Sequence, residues 1–137
     1  MNTNKEAVEM KVKLSTLWIC VMLNYLYCDV VTLFDSGVLK GLMTGIVGGI
    51  HFTQGFLLGA AILMEIPIAM VLLSRVLRYR ANRWANITAG AIMTLFQLSS
   101  LFFGASPTPY YLFFSTIEIA CTSFIVWYAW KWPNPDF

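Results

Sequence analysis

Asp29, Glu65 and Glu118 are carboxylic acids set within stretches that otherwise read as membrane spans, and no span contains a lysine or arginine to pair with them. Each must be protonated, hydrogen-bonded to neutral partners, or matched by a cation from outside the chain. An ionisable group at mid-bilayer depth costs roughly 2.5–3.5 kcal/mol on insertion scales and is by default a functional-site candidate. Low dielectric disfavours the charged form of a carboxylic acid, and a second acid nearby disfavours it further. A site holding all three would therefore carry fewer than three charges at neutral pH, and could trade a proton for a cation or donate a hydrogen bond to a ligand. The structural alternative is that acids and amides join helices by hydrogen bonds worth on average about 0.6 kcal/mol per pair in membranes.

Placing the polar residues at 100° per position tests whether they share an interior. In the second span, Gln54 and Glu65 are separated by about 20° after three turns, and His51 lies within about 40° of Glu65. The three share one face. In the third, Asn86 and Gln97 repeat the eleven-residue relation, with Gly90 and Thr94 on the same side. In the fourth, Tyr111, Ser115, Glu118 and Thr122 form a single seam. The first span carries Thr16, Cys20, Asn24 and Cys28 on one ridge, and Asp29 points about 100° away from Cys28, toward a different neighbour or the outer mouth. Asn24, Asp29, His51, Gln54, Glu65, Gln97 and Glu118 are thus the candidate ligand-binding residues, Glu65 near the midplane and most of the others in the outer half.

Other chemistries find little footing. A lone His51 does not make a metal site, which usually needs three or four protein ligands. Cys20, Cys28 and Cys121 form no Cys-x-x-Cys motif, and Cys20 and Cys28 would lie about 12 Å apart along one helix, too far to bridge. There is no Walker loop, no dinucleotide fingerprint and no spacing that supports a Ser-His-Asp triad. No cofactor and no nucleic acid is expected.

The elements that must position these residues are legible in composition. Of 137 residues, 58% are hydrophobic and 12% charged, with a mean hydropathy of +0.69, where a soluble chain has about 25% charged residues. Four apolar segments of about 20 residues, the length that crosses about 30 Å of hydrocarbon, are Leu14–Phe34, Phe52–Leu73, Trp84–Phe103 and Tyr110–Trp130. They leave no room for a separate soluble domain, so residues 1–137 read as one integral membrane domain. The first segment, interrupted by Asn24 and Asp29, reads as a retained helix rather than a cleaved signal. Eight of the nine basic residues flank the same ends of the spans, Lys40 being the exception. The positive-inside rule then places both termini and the Arg78–Arg83 turn in the cytoplasm. Trp18, Trp84, Trp127, Trp130 and Trp132 crowd the same side, as an interfacial belt would.

Short loops favour an all-α, up-down-up-down four-helix bundle. The prolines of Ser106-Pro107-Thr108-Pro109 stop one helix, and Pro133 stops another. Met1–Val12 reads as a short cytoplasmic lead-in. Gly37, Gly41, Gly45 and Gly49 recur every four residues, which suggests a short outer helix packed across the bundle mouth by a stripe of small residues and running into the second span near His51; a flexible loop is the alternative. Pro67 frees the carbonyl of Leu63 and is expected to kink the second span just past Glu65.

The stretches TQGFLLGAAILMEIPIAMVLLSRVLRYRANRWANI and WYAWKWPNP, with LWICVMLNYLYCDV in the first span, resemble a family of small bacterial four-helix membrane proteins with no assigned activity. The resemblance covers nearly the whole chain and implies only the fold and a location in a bacterial inner membrane. By size and helix count the chain is also similar to the DoxX-like membrane proteins and to the sterol-isomerase and sigma-type bundles, a likeness of fold. Small multidrug transporters place their membrane glutamate in the first helix, where this chain has Asp29. The leading expectation is a non-enzymatic membrane protein with an acid-lined pocket that binds a small cationic or amphiphilic molecule, with proton-coupled transport of that molecule as its extended form. The alternatives are an enzyme acting on a lipid-like substrate with Glu65 or Glu118 as acid or base, and a structural subunit of a membrane complex. Lipids and a second copy of the chain are the partners considered.

Overall fold

The computed structural model describes residues 3–134. It is built from four long helices, α1 (Thr3–Leu33), α3 (Gln54–Val76), α4 (Tyr79–Phe102) and α5 (Pro109–Trp130), with a short helix α2 (Ser36–Thr44) and a two-stranded hairpin, β1 (Ile46–Val47) and β2 (Ile50–His51), between the first two. All four long helices are long and apolar enough to cross a membrane. α1 packs on α3 and α5, and α4 packs on the same two, so the four close into a ring.

Contacts at the two ends show how the helices run. The Ser15 hydroxyl donates to the Val71 carbonyl at 2.8 Å, and the Tyr79 hydroxyl donates to the Trp132 carbonyl at 2.9 Å. The start of α1, the end of α3, the start of α4 and the end of α5 therefore meet at one end. At the other, the Asn24 amide reaches the Phe114 carbonyl and Gln97 reaches Ser115. The core lies between, with Leu14, Trp18, Val21, Met70, Met93, Ile125 and Ala129 buried.

The expected lead-in is helical from Thr3 onward and continuous with the first span; Met1 and Asn2 lie outside the described residues. The Arg78–Arg83 segment is likewise mostly helix, since α4 begins at Tyr79. Trp84, Trp127 and Trp130 are exposed as a belt requires, with Arg83 over the Trp130 ring at 5.5 Å and Lys131 over the Trp127 ring at 5.3 Å. Trp18 and Trp132 are instead core residues.

Residues 36–51 combine a helix with a turn that the glycine spacing concealed. Asp35 caps α2, its carboxylate accepting from the backbone N–H of Gly37 and Val38. The helix stops at Thr44, and Gly48-Gly49 then occupy positive φ at 56° and 80°, as a two-residue hairpin demands. Ile46 pairs with His51 and Val47 with Ile50. Gly41 serves this local fold, because a Cβ there would come within 2.8 Å of the Ile46 carbonyl. The fourfold glycine repeat is thus divided between a helix and a turn and makes no continuous stripe. A Gly-Gly pair flanked by β-branched residues is the signal in the sequence that marks the hairpin.

Candidate functional site

α5 presents the seam its spacing predicts. Ser115, Glu118 and Thr122 are buried, Glu118 to 1% exposure. Asn24 of α1 donates to Glu118 Oε1 at 3.0 Å and also to the Phe114 carbonyl at 3.0 Å. From α4, Gln97 donates to Ser115 Oγ at 2.7 Å and Thr94 to Thr122 Oγ1 at 2.8 Å. The Tyr111 hydroxyl extends the chain to Ser100 Oγ at 2.7 Å. Three helices are tied together here by neutral donors, and of the predicted residues Asn24, Gln97 and Glu118 are brought into one interior.

Asp29 lies one turn beyond Tyr25 and faces α3, the different neighbour that its 100° offset from Cys28 suggested. There it lines a cleft of about 260 Å³ between α1 and α3, with Met22, Tyr25 and Leu26 on one wall and Met64, Pro67 and Ile68 on the other. Pro67 is buried inside α3. Tyr25 is 9% exposed, and its hydroxyl is shut away from solvent with no hydrogen-bond partner. That is a costly state for a buried polar group.

Glu65, Gln54 and His51 lie elsewhere. They lie on exposed surface, as the side chains of all three are open. His51 belongs to β2 rather than to a helix. The interior face of α3 is taken by Pro67, Met70 and Ser74. The eleven-residue relation between Gln54 and Glu65 holds, but it says only that two side chains point the same way, and that way is outward.

Sequence reasoning missed Tyr25, because a tyrosine in an apolar span gives no sign of whether its hydroxyl finds a partner. It also missed a second buried network, at the end where the termini lie. Trp18 Nε1 donates to Asn86 Oδ1 at 2.7 Å, Ser74 Oγ donates to the same oxygen at 3.2 Å, and Asn86 Nδ2 donates to Asn82 Oδ1 at 2.7 Å. Asn82 in turn donates to the Ser74 carbonyl at 2.7 Å. Every donor and acceptor named here is engaged within the chain, which suits a joint between helices better than a ligand site.

A larger groove of about 490 Å³ between α1 and α5 holds none of the predicted residues and carries the Lys13 ammonium over the Tyr128 ring at 5.8 Å. It offers no carboxylate to a cation. Among the described residues no cluster of three or more His, Cys, Asp or Glu could hold a metal ion.

No curated protein and no solved structure matches the chain, so the looser likeness to the DoxX-like proteins gains no support. The match that covers it, residues 4–137, is to a family described as of unknown function. With four apolar helices, a polar interior seam and nearly its whole length matched, the chain belongs to the family of unknown function DUF6326.

Proposed function

We propose that this membrane protein takes a small amphiphilic cation from the bilayer into the α1–α3 cleft, with Asp29 as counter-charge and Tyr25 as hydrogen-bond partner. The observation that carries the reading is Asp29, a carboxylate with no hydrogen bond or ion pair among the described residues, set in the wall of an otherwise apolar cleft that Tyr25, whose hydroxyl is buried without a partner, also lines. A ligand bearing an N–H would neutralise the carboxylate, and one that turned the Tyr25 ring toward the cleft would satisfy its hydroxyl as well. Apart from Asp29, the residues that line the cleft are apolar or aromatic, which suits a short hydrocarbon tail. A cleft of about 260 Å³ falls just under the usual range of roughly 300–1,000 Å³ for ligand pockets, so the ligand is small. Glu118 is joined to α1 through Asn24, next to Tyr25, and a proton exchanged there as the cation enters would couple movement of the ligand to protons. The binding set is thereby Asp29, Tyr25 and Glu118, with Asn24 holding Glu118.

The test uses octylamine, octyltrimethylammonium and octanol as probes of thermal stability in detergent. Octylamine should raise the melting temperature, the quaternary amine less because it has no N–H, and octanol least. Asp29→Asn should remove the octylamine effect, and Tyr25→Phe should narrow the difference between the two amines without abolishing it. An octylamine shift unchanged in Asp29→Asn would overturn the reading. Turnover of a component of a lipid extract, with no response to amines, would put the enzyme reading in its place.

The reading includes an orientation, with both termini in the cytoplasm of a bacterial inner membrane, supported by the eight basic residues at that end. Cysteines replacing Ser36 and Ser106 should label from outside and one replacing Arg80 from inside. Position 82 is unsuited to this experiment because Asn82 is fully buried.

A further inference from the structure

The groove between α1 and α5 differs from the α1–α3 cleft in the sign of the charge at its edge. Val12, Lys13, Thr16 and Leu17 form one wall and Phe124 and Tyr128 the other, around about 490 Å³, within the usual range of roughly 300–1,000 Å³ for ligand pockets. Its walls ask for no polar partner, because the Thr16 hydroxyl donates to the Val12 carbonyl of its own helix. Lys13 is exposed at the end where the termini lie, its ammonium 5.8 Å from the Tyr128 ring centroid. Lys131, also exposed, follows one turn beyond Tyr128 and within about 60° of both Tyr128 and Phe124 around α5, its ammonium 5.3 Å from the Trp127 ring centroid. Each wall thus contributes one ammonium group, and neither is in an ion pair among the described residues. Glu9, four residues before Lys13 on α1, offsets part of that charge.

We infer that this groove binds an anionic phospholipid of the adjoining leaflet, its phosphodiester held by Lys13 and Lys131 and the first part of one acyl chain laid between Leu17 and Phe124. Depth agrees with the assignment. Trp127 and Trp130 are exposed at the same end, the level at which headgroups lie, so the lysines stand beside the phosphates and the apolar walls below them. From Lys13 to Leu17, as from Tyr128 to Phe124, is four residues or about 6 Å of depth, enough to seat the start of a chain whose remainder continues in the bilayer. Charge complementarity separates this occupant from others. A zwitterionic lipid offers the same phosphate with its own cation beside it. A second copy of the chain, related by a two-fold axis normal to the membrane, would set lysines against lysines at one depth. An apolar segment of another protein would leave both ammonium groups unanswered.

The experiment is native mass spectrometry of the full chain in detergent, with phosphatidylglycerol and phosphatidylcholine of identical acyl chains as probes. Phosphatidylglycerol should fill one site about tenfold more tightly than phosphatidylcholine, because two lysines at the surface each favour an anionic headgroup. Lys13→Gln with Lys131→Gln should bring the two lipids to equal affinity, and Lys13→Arg with Lys131→Arg should keep the preference. Arg78→Gln with Arg80→Gln removes as much charge from exposed positions at the same end but outside the groove, and should change the preference by no more than about twofold. Thr16→Trp, at an exposed position, fills the groove with both lysines in place and should weaken phosphatidylglycerol severalfold. An unchanged melting temperature in lipid-free detergent shows that each variant folds. Equal affinity of the unaltered chain for the two lipids would overturn the inference. So would a preference that the arginine pair lowers as much as the lysine pair, or one that Thr16→Trp leaves intact. A dimer of the chain that Thr16→Trp dissolves would put a second copy in the groove instead. None of these outcomes depends on amine binding at the α1–α3 cleft.

Discussion

Glu118 and Glu65 are the same residue type at nearly the same place along their helices, the tenth of 22 residues in α5 and the twelfth of 23 in α3, yet they have opposite surroundings. Glu118 is buried and accepts from Asn24, with serine and threonine above and below it on the seam. Glu65 stands on an exposed face among leucines and isoleucines. The difference comes from the helix each shares its depth with. α5 lies between α1 and α4, both of which bring amides to its seam, whereas α3 turns a proline, a methionine and a serine inward. A carboxyl group in a span is therefore buried among donors or left on the surface according to what its neighbours can offer it.

The largest effect is expected where a buried polar group has most partners. Asn86→Leu strands the Trp18 indole N–H and the Ser74 hydroxyl and leaves Asn82 Oδ1 without its donor, and should lower stability by about 2–4 kcal/mol. Reversible unfolding in mixed micelles measures this. If Asn86→Leu were neutral, satisfied burial would not be what separates the two glutamates.

Next is the pair itself. Glu118→Leu leaves the Asn24 amide with only the Phe114 carbonyl and should cost about 1–2 kcal/mol, whereas Glu118→Gln should recover most of it. Glu65→Leu, changing a surface position of the single chain, should stay within about 0.5 kcal/mol in detergent. Equal losses for Glu118→Leu and Glu65→Leu would erase the distinction between the two.

The smallest effects compare two glycines on the same two helices' terms. At Gly90 of α4 a Cβ would come within 2.7 Å of Val126 Cγ2 and 3.2 Å of the Thr122 carbonyl, so Gly90→Ala should lose about 1 kcal/mol net, overpacking exceeding the gain in helix propensity. At Gly59 of α3 nothing lies within 4 Å of an added Cβ, so Gly59→Ala should gain up to about 1 kcal/mol in the monomer. A stabilising Gly90→Ala would mean that α4 and α5 are not in the close contact described.

Much of this architecture could be read from residue order alone. A run of about 20 apolar residues has one stable conformation in hydrocarbon, since only a helix satisfies its own backbone, and the four spans follow from that. Spacing also determined which side chains share a face: Ser115, Glu118 and Thr122 on α5, Asn86, Gly90 and Gln97 on α4, and Gln54 with Glu65 on α3. Turn chemistry at Gly48-Gly49 was present in the sequence too, overshadowed by a glycine period that two different elements happen to share. What periodicity cannot supply is an absolute direction. It relates one side chain to the next on the same helix, while the choice of which face turns inward depends on how four helices fit one another, a property of none of them singly. Only the tertiary structure therefore set Glu118 against Asn24, turned Glu65 outward, drew Trp18 from the interface into a network with Asn86, and lined one cleft between α1 and α3 with Tyr25 and Asp29.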